Sequence, residues 1–202
     1  MPRRRRRRAI TSRAGNRRPG LCGVAGIVAA LVAATPQARA DDQGALFELV
    51  DAAAQRLQTA EPVAAYKWRG DSPIEDPPRV QQVLDAVTTD ATAHGIDAGY
   101  VRQVFGDQIN ATDAIEYSRF AQWKLDPAGA PTAPPGLAAS RDTIDALDHR
   151  MVGQIALHGD VLTSPRCGGE LDGAKSAVAD GRRLDVLYRQ ALSYATHSYC
   201  RV

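Results

Sequence analysis

Arg56 and Lys67 stand eleven residues apart. On one helix that spacing is about three turns, so both side chains share nearly one face, roughly 16 Å apart along the axis. Two long cationic side chains so placed can close on a small anion from both ends. Three further features can join them. Asp76 and Arg79 are one turn apart at a helix start, Thr112 and Glu116 are one turn apart later on, and Arg141 opens another helix. Arginine offers a planar fork that binds a carboxylate through two hydrogen bonds, whereas lysine offers a compact point charge. Taken singly, each residue has a commoner fate as a solvated helix charge or a cap. The run from residue 107 to 119 argues otherwise, because it is unusually polar for so long a helix. Polar residues on the inner face of a helical bundle build sites. No Ser-His-Asp set and no metal-ligand spacing accompanies them, and His94, His149, His158 and His197 are scattered. The chemistry indicated is anion binding and charge stabilisation.

These residues need elements to hold them. Alanine and leucine are abundant and no segment sustains strand alternation. The fold expected is therefore all-α, a single-domain helical bundle with a long first helix. That helix begins near Gly44, with Leu46, Leu49, Val50, Ala53 and Leu57 at helical spacing. Pro62 should kink or briefly break it before it resumes through residues 63–69. After a turn at Ser72-Pro73, Asp76-Pro77-Pro78 has the pattern of an N-cap with proline in the first turn. The helix it opens stops at Gly95, and Asp97 can cap the next, over about residues 98–124. Residues 126–136 hold four prolines and two glycines and form a loop. A helix from about Ser140 turns Ile144, Leu147, Met151, Ile155 and Leu162 inward and ends at Ser164-Pro165. The last helical segment covers about residues 169–199.

The first forty residues read differently. Residues 3–8 are all arginine, residues 21–34 are apolar, and Ala38-Arg39-Ala40 follows. A basic region, a short apolar region and an A-x-A site describe a secretory signal peptide, cleaved here near Ala40. The apolar run is shorter than the roughly 20 residues of a membrane span, so no stable membrane association is expected after cleavage. Residues 41–202 then form the domain, in the periplasm or outside the cell. Ten of the 25 basic residues lie in the leader, so the remaining 15 face 23 acidic ones, a net charge of −8. A nucleic-acid partner loses its main support. Two cysteines remain, Cys167 and Cys200. An even count in an exported chain reads as one disulfide. A straight helix between them would hold the two far apart, so a break near Gly181 is expected.

The segments 62–69 (PVAAYKWR), 73–76 (PIED) and 114–120 (AIEYSRF), with Tyr199-Cys200 at the end, agree in order and spacing with a known family. The chain resembles the all-helical chorismate mutases, most closely their exported subclass, over essentially all of residues 41–202. In that family an arginine and a lysine eleven residues apart sit on the first helix, as Arg56 and Lys67 do here. An acid and an arginine follow, matching Asp76 and Arg79. A hydroxyl residue and a glutamine or glutamate match Thr112 and Glu116, and a later arginine of the same chain matches Arg141. Val80 and Val83 stand where some members carry a polar residue, and Gln82 is the nearest amide.

The resemblance implies the rearrangement of chorismate to prephenate, and a homodimer. That reaction is unimolecular and needs no cofactor, metal or nucleophile. Arg56, Arg79 and Arg141 would take the substrate carboxylates, with Thr112 adding a hydrogen bond and Asp76 accepting from the hydroxyl. Lys67 would face the ether oxygen, with Glu116 on its other side. A carboxylate there would repel the growing negative charge, so Glu116 must be protonated. The alternative is a non-catalytic exported binder of an anionic aromatic metabolite.

Overall fold

The computed structural model describes residues 44–201. The expectations for residues 1–40 lie outside the described residues. Among the described residues all regular structure is helical, and no helix is long and apolar enough to cross a membrane.

Helix α1 (Phe47–Gln58) buries seven of its twelve residues, a face much wider than the apolar stripe of a surface helix. Leu49, Val50 and Leu57 fill the core, and the small side chains of Ala52, Ala53 and Ala54 let neighbours come close. A one-residue interruption at Thr59 separates α1 from α2 (Ala60–Arg69). Thr59 stays right-handed (φ −74°, ψ −13°), and its hydroxyl donates to the Arg56 carbonyl at 2.7 Å. Pro62 therefore falls in the first turn of α2, where its missing N–H breaks no intrahelical bond. The expected break lies three residues before the proline, and Arg56 and Lys67 stay on one continuing path.

Asp76 caps α3 (Pro77–Ala93), accepting from the Arg79 N–H at 3.2 Å. Gly95 closes that helix in the left-handed region (φ 71°), with the Ile96 N–H returning to the Ala91 carbonyl. Asp97 caps α4 (Ala98–Leu125) through the Tyr100 N–H at 2.7 Å. A 3₁₀ turn (Pro127–Gly129) and the proline loop lead to α5 (Leu137–Leu157), which starts three residues earlier than expected. The short α6 (Gly159–Leu162) ends before Ser164-Pro165. α1 packs against α5, α7 (Cys167–Gly181) and α8 (Val186–Ala195), and α4 packs against α2, α3 and α8.

The expected break in the last segment is present, two residues beyond Gly181. Arg183, not glycine, takes the left-handed position (φ 52°), and the Leu184 N–H returns to the Ala179 carbonyl. Leu184 is buried and supplies the apolar contact that completes this terminus. The reversal lets α8 bring Cys200 back to Cys167, with the Cα atoms 5.7 Å apart. The Tyr100 hydroxyl donates to the Tyr199 carbonyl at 2.7 Å and fixes the same end to α4.

A sequence separation of 33 residues makes the cross-link worth about 3–4 kcal/mol on loop-closure entropy. Cys200→Ser is expected to lower stability by that amount in urea unfolding of the oxidised protein. Reductant should weaken the parent similarly and leave the variant unchanged.

Candidate active site

Five helices and one loop converge on a single cavity. α1 supplies Arg56, α2 supplies Val63 and Lys67, and the loop before α3 supplies Ile74 and Asp76. α3 adds Arg79, Val80 and Val83, α4 adds Ile109, Thr112, Asp113 and Glu116, and α5 adds Leu137, Arg141 and Ile144. The structure brings together all seven side chains singled out in the sequence. Val80 and Val83 form part of an apolar wall, while Gln82 points away and accepts from Arg79 Nη1 at 2.9 Å.

Each cation in the cavity faces a carboxylate. Arg56 Nε donates to Asp148 Oδ1 at 2.5 Å, and its Nη1 donates to Thr112 Oγ1 at 3.3 Å. Lys67 Nζ donates to Glu116 Oε2 at 2.9 Å and to the Ile74 carbonyl. Arg79 pairs with Asp145, and Arg141 Nη2 donates to Asp76 Oδ2 at 2.8 Å. Asp76 is thus both helix cap and site residue, one oxygen for each task.

The framework behind these side chains is polar as well. Gln108 is fully buried in α4, and its amide donates to the Ala53 carbonyl of α1 at 3.0 Å. The Gln108 backbone carbonyl in turn accepts from Thr112 Oγ1 at 2.9 Å. Positions 108, 112 and 116 recur every four residues, so they form the inward polar stripe that the run 107–119 suggested.

Glu116 is 2% exposed. Burial pushes its carboxyl up to about 7, the Lys67 charge and hydrogen bond pull the other way, and Asp113 adds to the rise. Burial likewise pushes Asp113 and Asp148 up, against Lys67 and Arg56 respectively.

Asp113, Asp145 and Asp148 were not singled out in the sequence. A signal existed for two of them: Arg141, Asp145 and Asp148 follow at four and then three residues, which is one face of α5. Asp148 meets Arg56 across 92 residues of chain, a pairing no local pattern discloses.

The fold and cavity define an all-helical protein whose site gathers cations and one buried, readily protonated acid around a small volume. Residues 47–117 match the family model for chorismate mutase type II. The chain is 59% identical over 167 residues to the secreted chorismate mutase of Mycolicibacterium smegmatis, covering 83% of this chain and 92% of that protein. It is 53% identical over 178 residues to the secreted chorismate mutase of Mycobacterium tuberculosis, covering 87% and 89%. A solved chorismate mutase from Burkholderia phymatum superposes with a TM-score of 0.74 at 30% identity, over 78% of this chain and 97% of that one. The chain belongs to the chorismate mutases.

Arg56 and Asp148 are each 4% exposed, so removing either leaves the other buried and unpaired. Asp148→Ala is expected to cost about 3 kcal/mol, the scale of a broken buried pair. Asp148→Asn keeps an acceptor and should cost less. Urea unfolding of the two variants beside the parent measures both differences.

Proposed function

We propose that this cavity converts chorismate to prephenate outside the cytoplasm, by holding the substrate compact and stabilising charge on its ether oxygen. The observation that carries the reading is Lys67 Nζ at 2.9 Å from Glu116 Oε2, in a cavity that three arginines share. The reaction breaks one C–O bond and forms one C–C bond within a single molecule. The protein must therefore fix a conformation and match a changing charge distribution.

Arg56, Arg79 and Arg141 take the two substrate carboxylates. The substrate replaces protein carboxylates as partner for the more exposed arginines, while Asp148 keeps Arg56 in place from behind. Thr112 adds a hydrogen bond, and Asp76 accepts from the ring hydroxyl. Val80, Val83, Ile109 and Ile144 pack the ring and keep water away. Lys67 donates to the ether oxygen as its bond lengthens, and protonated Glu116 donates from the other side. No proton changes hands over the reaction.

Residues 1–40 act as the signal peptide, removed near Ala40, and the domain of residues 41–202 works as an exported homodimer. The secreted relatives support the destination. The Cys167–Cys200 disulfide fits an oxidising compartment.

The purified domain should consume chorismate, followed by loss of its ultraviolet absorbance. A folded protein with no turnover above background would overturn the reading. Lys67→Ala should lower kcat by a factor on the order of 10³ or more, the scale of losing an oxyanion donor.

The pH dependence has a definite sign. The competent form carries the Glu116 proton, so kcat/KM should fall as pH rises through about 7, where that proton leaves the free enzyme. A bound dianion disfavours a further negative charge, so the fall in kcat should come at higher pH. Glu116→Gln should flatten both profiles.

A further inference from the structure

Asp113 is a carboxylate in the wrong place for simple anion binding. It lines the cavity from α4, one residue after Thr112 and one turn before Glu116. The ion pairs of the cavity join its four cations to Asp148, Glu116, Asp145 and Asp76 and leave Asp113 without a cation among the described residues. A negative charge facing the cavity opposes the binding of a dianion, so its presence needs another explanation.

We propose that Asp113 is a positioning residue for the Glu116 proton: its unpaired charge, one turn away in the same cavity, holds Glu116 in the hydrogen-bond-donating form. The inference rests on the reading of Glu116 as a protonated donor. The charged groups around Glu116 divide by element. Lys67 on α2 touches it and favours its ionised form. Arg56 on α1, Arg79 on α3 and Arg141 on α5 line the cavity as well. Asp76 in the loop before α3 is engaged by Arg141, and Glu75 beside it accepts from the neighbouring Tyr117 hydroxyl at 2.8 Å. α8, which packs on the other side of α4, brings no titratable group to the cavity lining. Among these cations Lys67 is the one that bears on Glu116 and favours its ionised form. Burial and Asp113 oppose it, and Asp113 is the one acid in the lining that makes no ion pair with a cation among the described residues, Lys67 and Arg56 acting on it only through space. Two acids at i and i+3 of one helix repel when both are ionised, so the more buried one keeps its proton.

The arrangement trades affinity for protonation. Asp113→Asn should lower KM for chorismate, because a charge opposing the dianion is gone. It should also move the basic limb of the kcat profile down by about half a pH unit to one unit. Asp113→Glu should restore the parent profile. In a Glu116→Gln background, Asp113→Asn should lower KM and shift no limb.

A direct reading needs no turnover. The Glu116 side-chain carboxyl, followed by carbon-13 NMR across pH in the unliganded protein, should titrate lower in Asp113→Asn than in the parent. An unmoved or raised Glu116 midpoint overturns the inference, even in a protein that turns over chorismate. A limb shift that survives in the Glu116→Gln background overturns it too. Absence of turnover in the parent, with the NMR shift present, overturns only the catalytic reading.

Discussion

A positive charge buried in a helical bundle must be matched before any ligand arrives, because desolvation of an unpaired ion is severe. That constraint organises this molecule. Arg56 sits on the most buried helix and is satisfied by Asp148 and Thr112. Lys67, Arg79 and Arg141 each have their own acid. The cavity can therefore exist empty. Its cations are held in place by partners of graded burial, from the enclosed Asp148 to the exposed Asp145.

Helix α5 links the site to the core. One of its faces carries Arg141, Asp145 and Asp148, which address Asp76, Arg79 and Arg56 in turn. Another face carries Leu147, Met151, Val152 and Ile155 into the apolar interior. A shift of α5 along its axis would displace three ion pairs at once. The core packing of α5 on α1 and α3 resists that shift, so cavity geometry inherits its rigidity from apolar burial.

Much of this was legible in residue types and spacing. Arg56 and Lys67 could be placed on one side because eleven residues is about three helical turns, although the break falls at Thr59 and leaves Pro62 in the first turn of the next helix. The break between α7 and α8 followed from two cysteines that had to meet. Its location was less legible, since Gly181 attracted the prediction while Arg183 took the left-handed residue. Asp148 and Asp145 were harder. An acid on a helix is usually solvated, and beyond their spacing from Arg141 only the distant partners distinguish these two from Asp142 beside them. Asp113 was hidden by its neighbours, since Thr112 and Glu116 carry the family pattern and Asp113 does not. The sequence is informative where function restricts residue type at fixed spacing, and nearly silent where one residue matters for the charge of another.

The central position of α1 has a consequence for how the chain comes into being. The surfaces that cover it come mostly from α5, α7 and α8, which lie roughly ninety or more residues later. Contacts so distant in sequence form late, after the loops between them have closed. While the chain is being synthesised, Leu49, Leu57 and their neighbours lack most of the surface that covers them. The polypeptide thus has no stable fold to adopt until its C-terminal third is available. The topology itself postpones folding until that third is complete, and the cysteine pair then locks the end of the last helix to the first turn of the one before it.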